Sequence, residues 1–472
     1  AKWLLPGGPE LRPLARSAPM DVDITVDSVD GTAELDEDQS LIISLLLPPD
    51  VYGIKLYKIG KGWTSALKFF CVPLVAAQDA EQTIGATTFV KMGKEEELEK
   101  ELNVTQYMSE LLGGFCPQVL GYAEHGELAA IHFSLADLSD GAPKGFADLY
   151  SELMLPQKVD TPEGRHLLKR VESAVDFVFE TLVWRLHSAK STHLHKFSVA
   201  DELGLCRDMP GGKTGVERDL HMSSGFLLEK LWRKEPGDGG LASSVRLHAS
   251  AILGEDAAAC DMLTFLPGHA LQLPNVCSTL LDSHERLARL RDFTLRSHRQ
   301  CFVHGDLHGD NILVDTKDNR FLIDFGKTGL GHCLEDLTYL ESFVILSYTE
   351  LMDDEDLRDA LNVLPALAPS EGLTVASCDA EALESATTDK IRGFRVAAMW
   401  AVVKRLRLHL GKGMRQVASF APSRRAEEIQ QAGLIATLLL LRNALFFMAA
   451  RENAQQPRRR RLALAFACAY AK

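Results

Sequence analysis

Hydrophobic and polar positions over the first 140 residues alternate mostly at the two-residue period of half-buried strands, with one helical stretch among them. Residues 41–47 (LIISLLL), 51–58 (VYGIKLYK), 83–91 (ending in TTFVK), 118–122 and 128–138 read as strands, with a further one at 24–29. Residues 95–112 read as a helix, because Leu98, Leu102, Met108, Leu111 and Leu112 make an approximate apolar stripe. These elements predict a small, mostly antiparallel sheet interrupted by a single helix. Residues 1–40, with Pro and Gly punctuation and an acidic stretch from Asp21 to Asp38, are expected to be a flexible lead-in.

The pattern changes after Asp140, at the turn 139–143 (SDGAP). Thr161 and Pro162 open a helix expected to reach about His187. Pro210-Gly-Gly212 and Pro236 to Gly240 mark an insertion over about 189–260. Helices are then expected at 275–300, 335–364, 389–410, 424–451 and 457–470, with a strand–loop–strand–turn–strand passage at 301–325. There is no internal repeat.

Composition narrows the partners. The formal net charge of −14 argues against nucleic acid and against an anionic membrane surface. The one basic run, Arg458 to Arg461, is expected to be a solvated helix end. The longest apolar run, 433–441, stops at Arg442 and Asn443 and is too short to span a bilayer, so it is expected to be a core helix. Nine cysteines without a CxxC pair predict reduced thiols in a cytoplasmic setting. The chain opens on Ala1 rather than Met, so a preceding targeting segment is left open.

The chemistry is concentrated in one passage, CFVHGDLHGDNILVDTKDNRFLIDFGKTGLGHCLEDLTYLE, residues 301–341. Apolar runs short enough to be strands separate Asp306, Asn311 and Asp324. The runs 311–315 and 321–325 predict a hairpin turned by Asp318-Asn319. Asn311 at the start of one strand and Asp324 near the end of the other are expected to be neighbours, and two oxygen ligands of this kind suit Mg²⁺. Asp306, on the preceding loop, is placed to accept a proton from an attacking hydroxyl or to orient it. His304 is expected to brace the loop. His193 and His195 in THLH have no carboxylate or cysteine cluster beside them and read as surface residues.

His304-x-Asp306-x₄-Asn311 followed by Ile323-Asp-Phe-Gly326 resembles the catalytic and metal-binding loops of the protein-kinase-like superfamily. HGDLHxxN with IDFG is nearer the aminoglycoside phosphotransferase and choline kinase branch than protein kinases, which carry Arg where Gly305 stands. The continuation GKTGLGH with Asp336 and Leu340-Glu341 resembles the kinase-like ternary complex associated domains. The resemblance implies an α+β, two-lobed protein-kinase-like fold. It would have a small antiparallel-sheet N-lobe over about 41–138 and a large, mostly helical C-lobe over 139–472. It implies Asp306 as catalytic base or orienting group, Asn311 and Asp324 as Mg²⁺ ligands, Asp336 as a supporting carboxylate and His308 as a loop residue near the phosphoryl position. Upstream it implies Lys91 as the phosphate-binding lysine, paired with Glu101 ten residues on, and a glycine loop around Gly60 and Gly62. The third glycine of that loop is missing, its place falling near Thr64 or Ser65.

The resulting expectation is an ATP- and Mg²⁺-dependent phosphotransferase with a small-molecule hydroxyl acceptor. The alternative is a non-catalytic kinase-like module that binds a protein partner or a nucleotide in signalling. A protein acceptor is disfavoured, since no Ala-Pro-Glu anchor follows Gly326.

Overall fold

The computed structural model describes residues 22–27, 35–48, 51–58, 66–75, 83–84, 88–134, 144–158, 161–189, 191–194, 197–198, 241–281, 294–295, 298–385, 390–417, 422–450, 453 and 455–471. The chain divides into two compact units. One comprises residues 1–144 and 312–326, and the other 145–311 and 327–472.

The first unit is built on one sheet. Its strands are β1 (Asp23–Asp27), β2 (Val51–Lys58), β3 (Leu67–Val75), β4 (Thr83–Ile84), β5 (Thr88–Lys94), β6 (Val119–His125) and β7 (Leu128–Ser134). They run in the order β1-β2-β3-β5-β7-β6, with β4 beside β3. Every pairing is antiparallel except β1 with β2, which is parallel. The expected lead-in therefore contributes a strand, because β1 completes the sheet edge beside β2.

Two helices cover the sheet, α1 (Glu37–Leu46) and α2 (Glu95–Leu112). Residues 41–47, expected as a strand, lie almost wholly in α1. Asp36 decides this: its side chain accepts from the Gln39 amide at 2.8 Å while Gln39 Oε1 accepts the Asp36 amide, a capping box. Glu37 and Asp38 in the first turn favour the helix further through its dipole. Ile42, Ile43 and Leu46 then fall on one face and pack with Ile54, Leu56, Phe69, Cys71, Val90 and Met92. The α2 residues Leu98 and Leu102 pack with Ala129, Ile131, Phe133 and Phe89 in a separate cluster. Strand alternation thus sends Val90 and Met92 to the first cluster and Phe89, with Lys91 on its side, to the α2 face. The expected strand over 83–91 is two strands, β4 and β5. The hairpin at 312–326 consists of β15 (Ile312–Val314) and β16 (Arg320–Leu322), with Ile312 opposite Leu322.

Between β7 and β15 the elements are β8 (Lys144–Gly145), α3 (Phe146–Leu153), α4 (Pro162–Phe177), α5 (Val183–Ala189), β9 (Ser191–Leu194), β10 (Phe197–Ser198), α6 (Leu241–Leu253), β11 (Met262–Thr264), β12 (Gln272–Pro274), β13 (Thr294–Leu295) and β14 (His298–Val303). After β16 come β17 (Gly329–His332), α7 (Glu335–Phe343), α8 (Asp354–Leu367), α9 (Ala380–Ser385), α10 (Phe394–Val417), α11 (Pro422–Ala449) and α12 (Pro457–Tyr470).

The second unit is mostly helical. Thr161 caps α4 by accepting from the Gly164 amide at 3.0 Å, with Pro162 at the first turn, and a π-turn at Val178–Leu182 carries the helix on into α5. Of the helix expected over 275–300, Cys277–Leu281 forms a π-helical turn, 282–293 lie outside the described residues, and β13 and β14 stand at its end. β14 is held between β9 and β17, with Cys301 opposite both Ser191 and Gly331, and its inward residues Cys301 and Val303 are buried. Ladder pairing on both sides outweighs the helical pattern of that segment. His193 sits on β9 opposite Arg299, and His195 lies outside the described residues, as do Pro210-Gly-Gly212 and Pro236 to Gly240 of the expected insertion. The helix expected over 335–364 is two helices, because Asp353 accepts from the Glu355 and Asp356 amides and starts α8 afresh.

α11 contains a 25-residue stretch, Arg425–Ala449, that is long and apolar enough to cross a membrane, but most of it is buried inside the protein. Arg442 and Asn443 within it are buried as well, and the Asn443 amide donates to Thr338 O and Ser342 Oγ of α7. The arginines that open α12 are not a solvated end. Arg458 binds Asp354 Oδ1, Arg459 donates to Thr349 O and Arg460 to Met448 O, so the run straps three other chain segments.

Candidate functional site

In the first unit, four charged side chains meet on the α2 face of the sheet. β3 and β5 pair with Lys68 directly opposite Lys91, so both side chains leave the same face. Lys91 Nζ lies 2.6 Å from Glu101 Oε2 and 2.8 Å from Asp324 Oδ1. Lys68 Nζ lies 2.7 Å from the other Asp324 oxygen, Oδ2. Glu101 reaches Lys91 from the second turn of α2, on the face that also carries Leu98 and Leu102. Asp324 follows β16 with φ +64°, a left-handed conformation that is costly for a residue with a Cβ. Two ammonium groups on its carboxylate hold it there. A Cβ at Gly326 would come within 3.2 Å of Glu101 Oε2, so glycine keeps this corner open.

The electrostatics follow from burial and charge. Burial pulls the Lys91 ammonium down, but Asp324 and Glu101 together outweigh it and hold it well above the usual lysine range. Burial pushes Asp324 up, but Lys91 and Lys68 hold it far below the usual carboxylate range, so it is ionised at any physiological pH. Glu101 is the softer partner: burial lifts its carboxyl against the pull of Lys91.

In the second unit, the loop after β14 is anchored from beneath. Asp336, in the first turn of α7, accepts the amides of His304 at 2.8 Å and Gly305 at 2.9 Å. Gly305 has φ +76°, which explains a glycine here. His304 is fully buried, and its backbone carbonyl accepts from Thr328 Oγ1. The Asn311 amide donates to Asp306 O at 2.8 Å and approaches His308 Nε2 at 3.3 Å, which leaves its carbonyl oxygen for a cation. The His308 ring stacks on Phe343. Gly309 packs so closely that a Cβ would fall 2.9 Å from both Ala147 N and the Tyr348 ring. Asp306 is gripped at both oxygens, by Tyr339 OH at 3.2 Å and by Lys327 Nζ at 2.8 Å.

Burial pushes the Asp336 carboxyl up to about 7, the amides of His304 and Gly305 oppose this, and Glu335 and Asp306 add to it. The raised value means the folded protein binds this proton more tightly than the unfolded chain. The stability it contributes is complete below about pH 4 and lost as pH rises through 7, a window worth on the order of a few kcal/mol. Asp336→Asn is expected to flatten that part of the stability–pH curve, as read by urea unfolding of both proteins at pH 5 and pH 7.5. An unchanged slope would place the titration elsewhere.

Of the residues singled out in the sequence, Lys91, Glu101 and Asp324 meet in the first unit, and His304, Asp306, His308, Asn311 and Asp336 lie on or beneath one loop of the second. Gly60 and Gly62 lie outside the described residues. Lys68, Lys327 and Tyr339 join these groups without having been singled out. Lys68 was findable only by pairing β3 with β5. Lys327, directly after Gly326, had the signal of its place in the motif.

The donor set fits Mg²⁺ and a nucleotide. Among the described residues no three His, Cys, Asp or Glu side chains cluster as a metal cage. Mg²⁺ needs no such cage: it takes one or two carboxylates and fills its shell with phosphate and water. Asp324 is a carboxylate of that kind, ionised and set between two lysines suited to phosphate oxygens.

Residues 242–436 match the family model described as ternary complex associated domain 9. The match covers rather under half of the chain and includes the whole passage 301–341, in agreement with the resemblance drawn from GKTGLGH, Asp336 and Glu341. No curated protein matches the chain. Among solved structures, it is similar to amicoumacin kinase hAmiN in complex with AMP-PNP, Ca²⁺ and Ami, at 11% identity and TM-score 0.37 over 91% of this chain and 94% of that one. It is also similar to the aminoglycoside phosphotransferase APH(3'')-Id from Streptomyces rimosus, at 16% identity and TM-score 0.28 over 75% and 92%. A thermostable mutant of APH(4)-Ia in ternary complex with AMP-PNP and hygromycin B matches at 11% identity and TM-score 0.32 over 82% and 93%.

Proposed function

We propose that the chain is an ATP- and Mg²⁺-dependent phosphotransferase of the aminoglycoside phosphotransferase-like class, with a two-lobed kinase-like fold, acting on a hydroxyl of a small-molecule acceptor. The observation that carries this reading is Lys91, a buried ammonium shared between Glu101 and Asp324. A lysine fixed by a helix glutamate beside a metal-binding aspartate is what positions nucleotide phosphates in kinases. Lys91 would bind phosphate oxygens, and Asp324 would hold Mg²⁺. When bound, Mg²⁺ would neutralise charge on the phosphate oxygens.

Asp306 would orient the acceptor hydroxyl and accept its proton as the new O–P bond forms and the bond to the ADP oxygen breaks. Tyr339 and Lys327 keep its carboxylate from turning away. The described cysteines are free thiols, which suits a reducing cytoplasm.

Asp306→Asn tests this. Phosphoryl transfer, followed as ADP release with an aminoglycoside, choline or water as acceptor, is expected to fall by about 10²–10⁴. ATP affinity is expected to stay within about twofold. ADP release undiminished by the substitution would remove Asp306 from the chemistry.

One observation favours a second reading, a non-catalytic module. The oxygens of both Asp306 and Asp324 already have partners within the protein. Nucleotide binding without ADP release from any of these acceptors would support it.

A further inference from the structure

We infer that Lys68 is a second phosphate-binding lysine, so that the first unit meets a nucleotide with two ammonium groups rather than one. This rests on the nucleotide-binding reading above. It is carried by the cross-strand register, which sets Lys68 opposite Lys91 on the same sheet face, and by their division of Asp324, one oxygen each.

Charge is the physical reason. Glu101 and Asp324 carry two negative charges. With Lys91 alone the cluster is net negative and repels a triphosphate, and with Lys68 it is neutral. Exposure separates the two lysines: the Lys68 side chain is 18% exposed and that of Lys91 5%. Lys91 is fixed by two carboxylates. Lys68 has one carboxylate partner among the described residues and more contact with solvent, so its ammonium is free to turn onto a phosphate oxygen. A lysine that only shaped the pocket around Asp324 would not distinguish ligands by their number of phosphates.

The test is calorimetric titration of the full chain with ATP, ADP and adenosine in the presence of Mg²⁺. Wild type, Lys68→Met, Lys68→Arg and Lys91→Met are compared, with Lys68→Gln in reserve should the methionine variant not fold. Lys68→Met is expected to weaken ATP by about tenfold or more, the loss of one charge-assisted contact, and adenosine by less than about twofold. Lys68→Arg is expected to recover most of the ATP affinity. Equal weakening of ATP and adenosine would overturn the inference and leave Lys68 as a prop for Asp324. So would ATP affinity unchanged in Lys68→Met while Lys91→Met loses it, and in that case the nucleotide-binding reading survives. A wild type that binds neither ATP nor ADP overturns both.

Discussion

Asp324→Ala is expected to abolish the Mg²⁺-dependent stabilisation of this protein by ATP and to lower its stability without ligand. In the wild type, ATP at about a hundred times its dissociation constant adds about 2.7 kcal/mol to the unfolding free energy. The substitution removes the carboxylate proposed to face the metal, so that increment should vanish. The unliganded protein should also lose about 3–5 kcal/mol, because Lys91 and Lys68 are left with only Glu101 between them in a buried setting. Backbone strain adds to this loss, since alanine tolerates φ +64° less readily than aspartate. Asp324→Asn tolerates that conformation better and separates the two effects: less destabilisation, the same loss of the Mg²⁺-dependent increment. Thermal unfolding with ATP, with and without Mg²⁺, reads both. A Mg²⁺-dependent shift in Asp324→Ala equal to that of the wild type would contradict the assignment of Asp324 to the metal.

The second large effect lies far from the phosphates in the chain. Arg407 and Glu341 form an ion pair at 2.6 Å with each side chain only 1% exposed. Arg407 also donates to Leu367 O and to Tyr470 OH, tying α7, α8, α10 and α12 together. Removing one partner leaves the other charge buried alone. Arg407→Met is therefore expected to cost about 3–5 kcal/mol, whereas a lost surface pair costs under about 1 kcal/mol. The double variant Arg407→Met/Glu341→Leu removes both charges and should recover most of that loss. Urea unfolding of the wild type, both single variants and the double variant measures the cycle. A double variant as unstable as the sum of the singles would show that packing around the arginine stem matters more than the pair.

Much of the candidate site was legible because its parts are local in sequence. Lys91 lies midway along the alternating strand β5, and Glu101 lies on the next helix, ten residues on. Asp306, Asn311, Asp324 and Asp336 sit at motif spacing within one passage. What was not legible depends on pairing between distant segments. Lys68 joins the cluster only through the β3–β5 register, and Tyr339 reaches Asp306 across 33 residues from a buried helix. Residues 41–47, six apolar and one serine, carry no clear period, so a local capping box at Asp36 decided between strand and helix. β14 shows the opposite case, where ladder partners on both sides overrode a helical pattern. The arginines of α12 read as solvent-facing because the carbonyls that Arg459 and Arg460 bind belong to other segments.

Calorimetric titration of ATP into the wild-type chain, once with Mg²⁺ and once with EDTA, tests the central claim most directly. The account predicts saturable binding at one site that Mg²⁺ tightens by about tenfold or more. No heat of binding at millimolar ATP with Mg²⁺ present would contradict it.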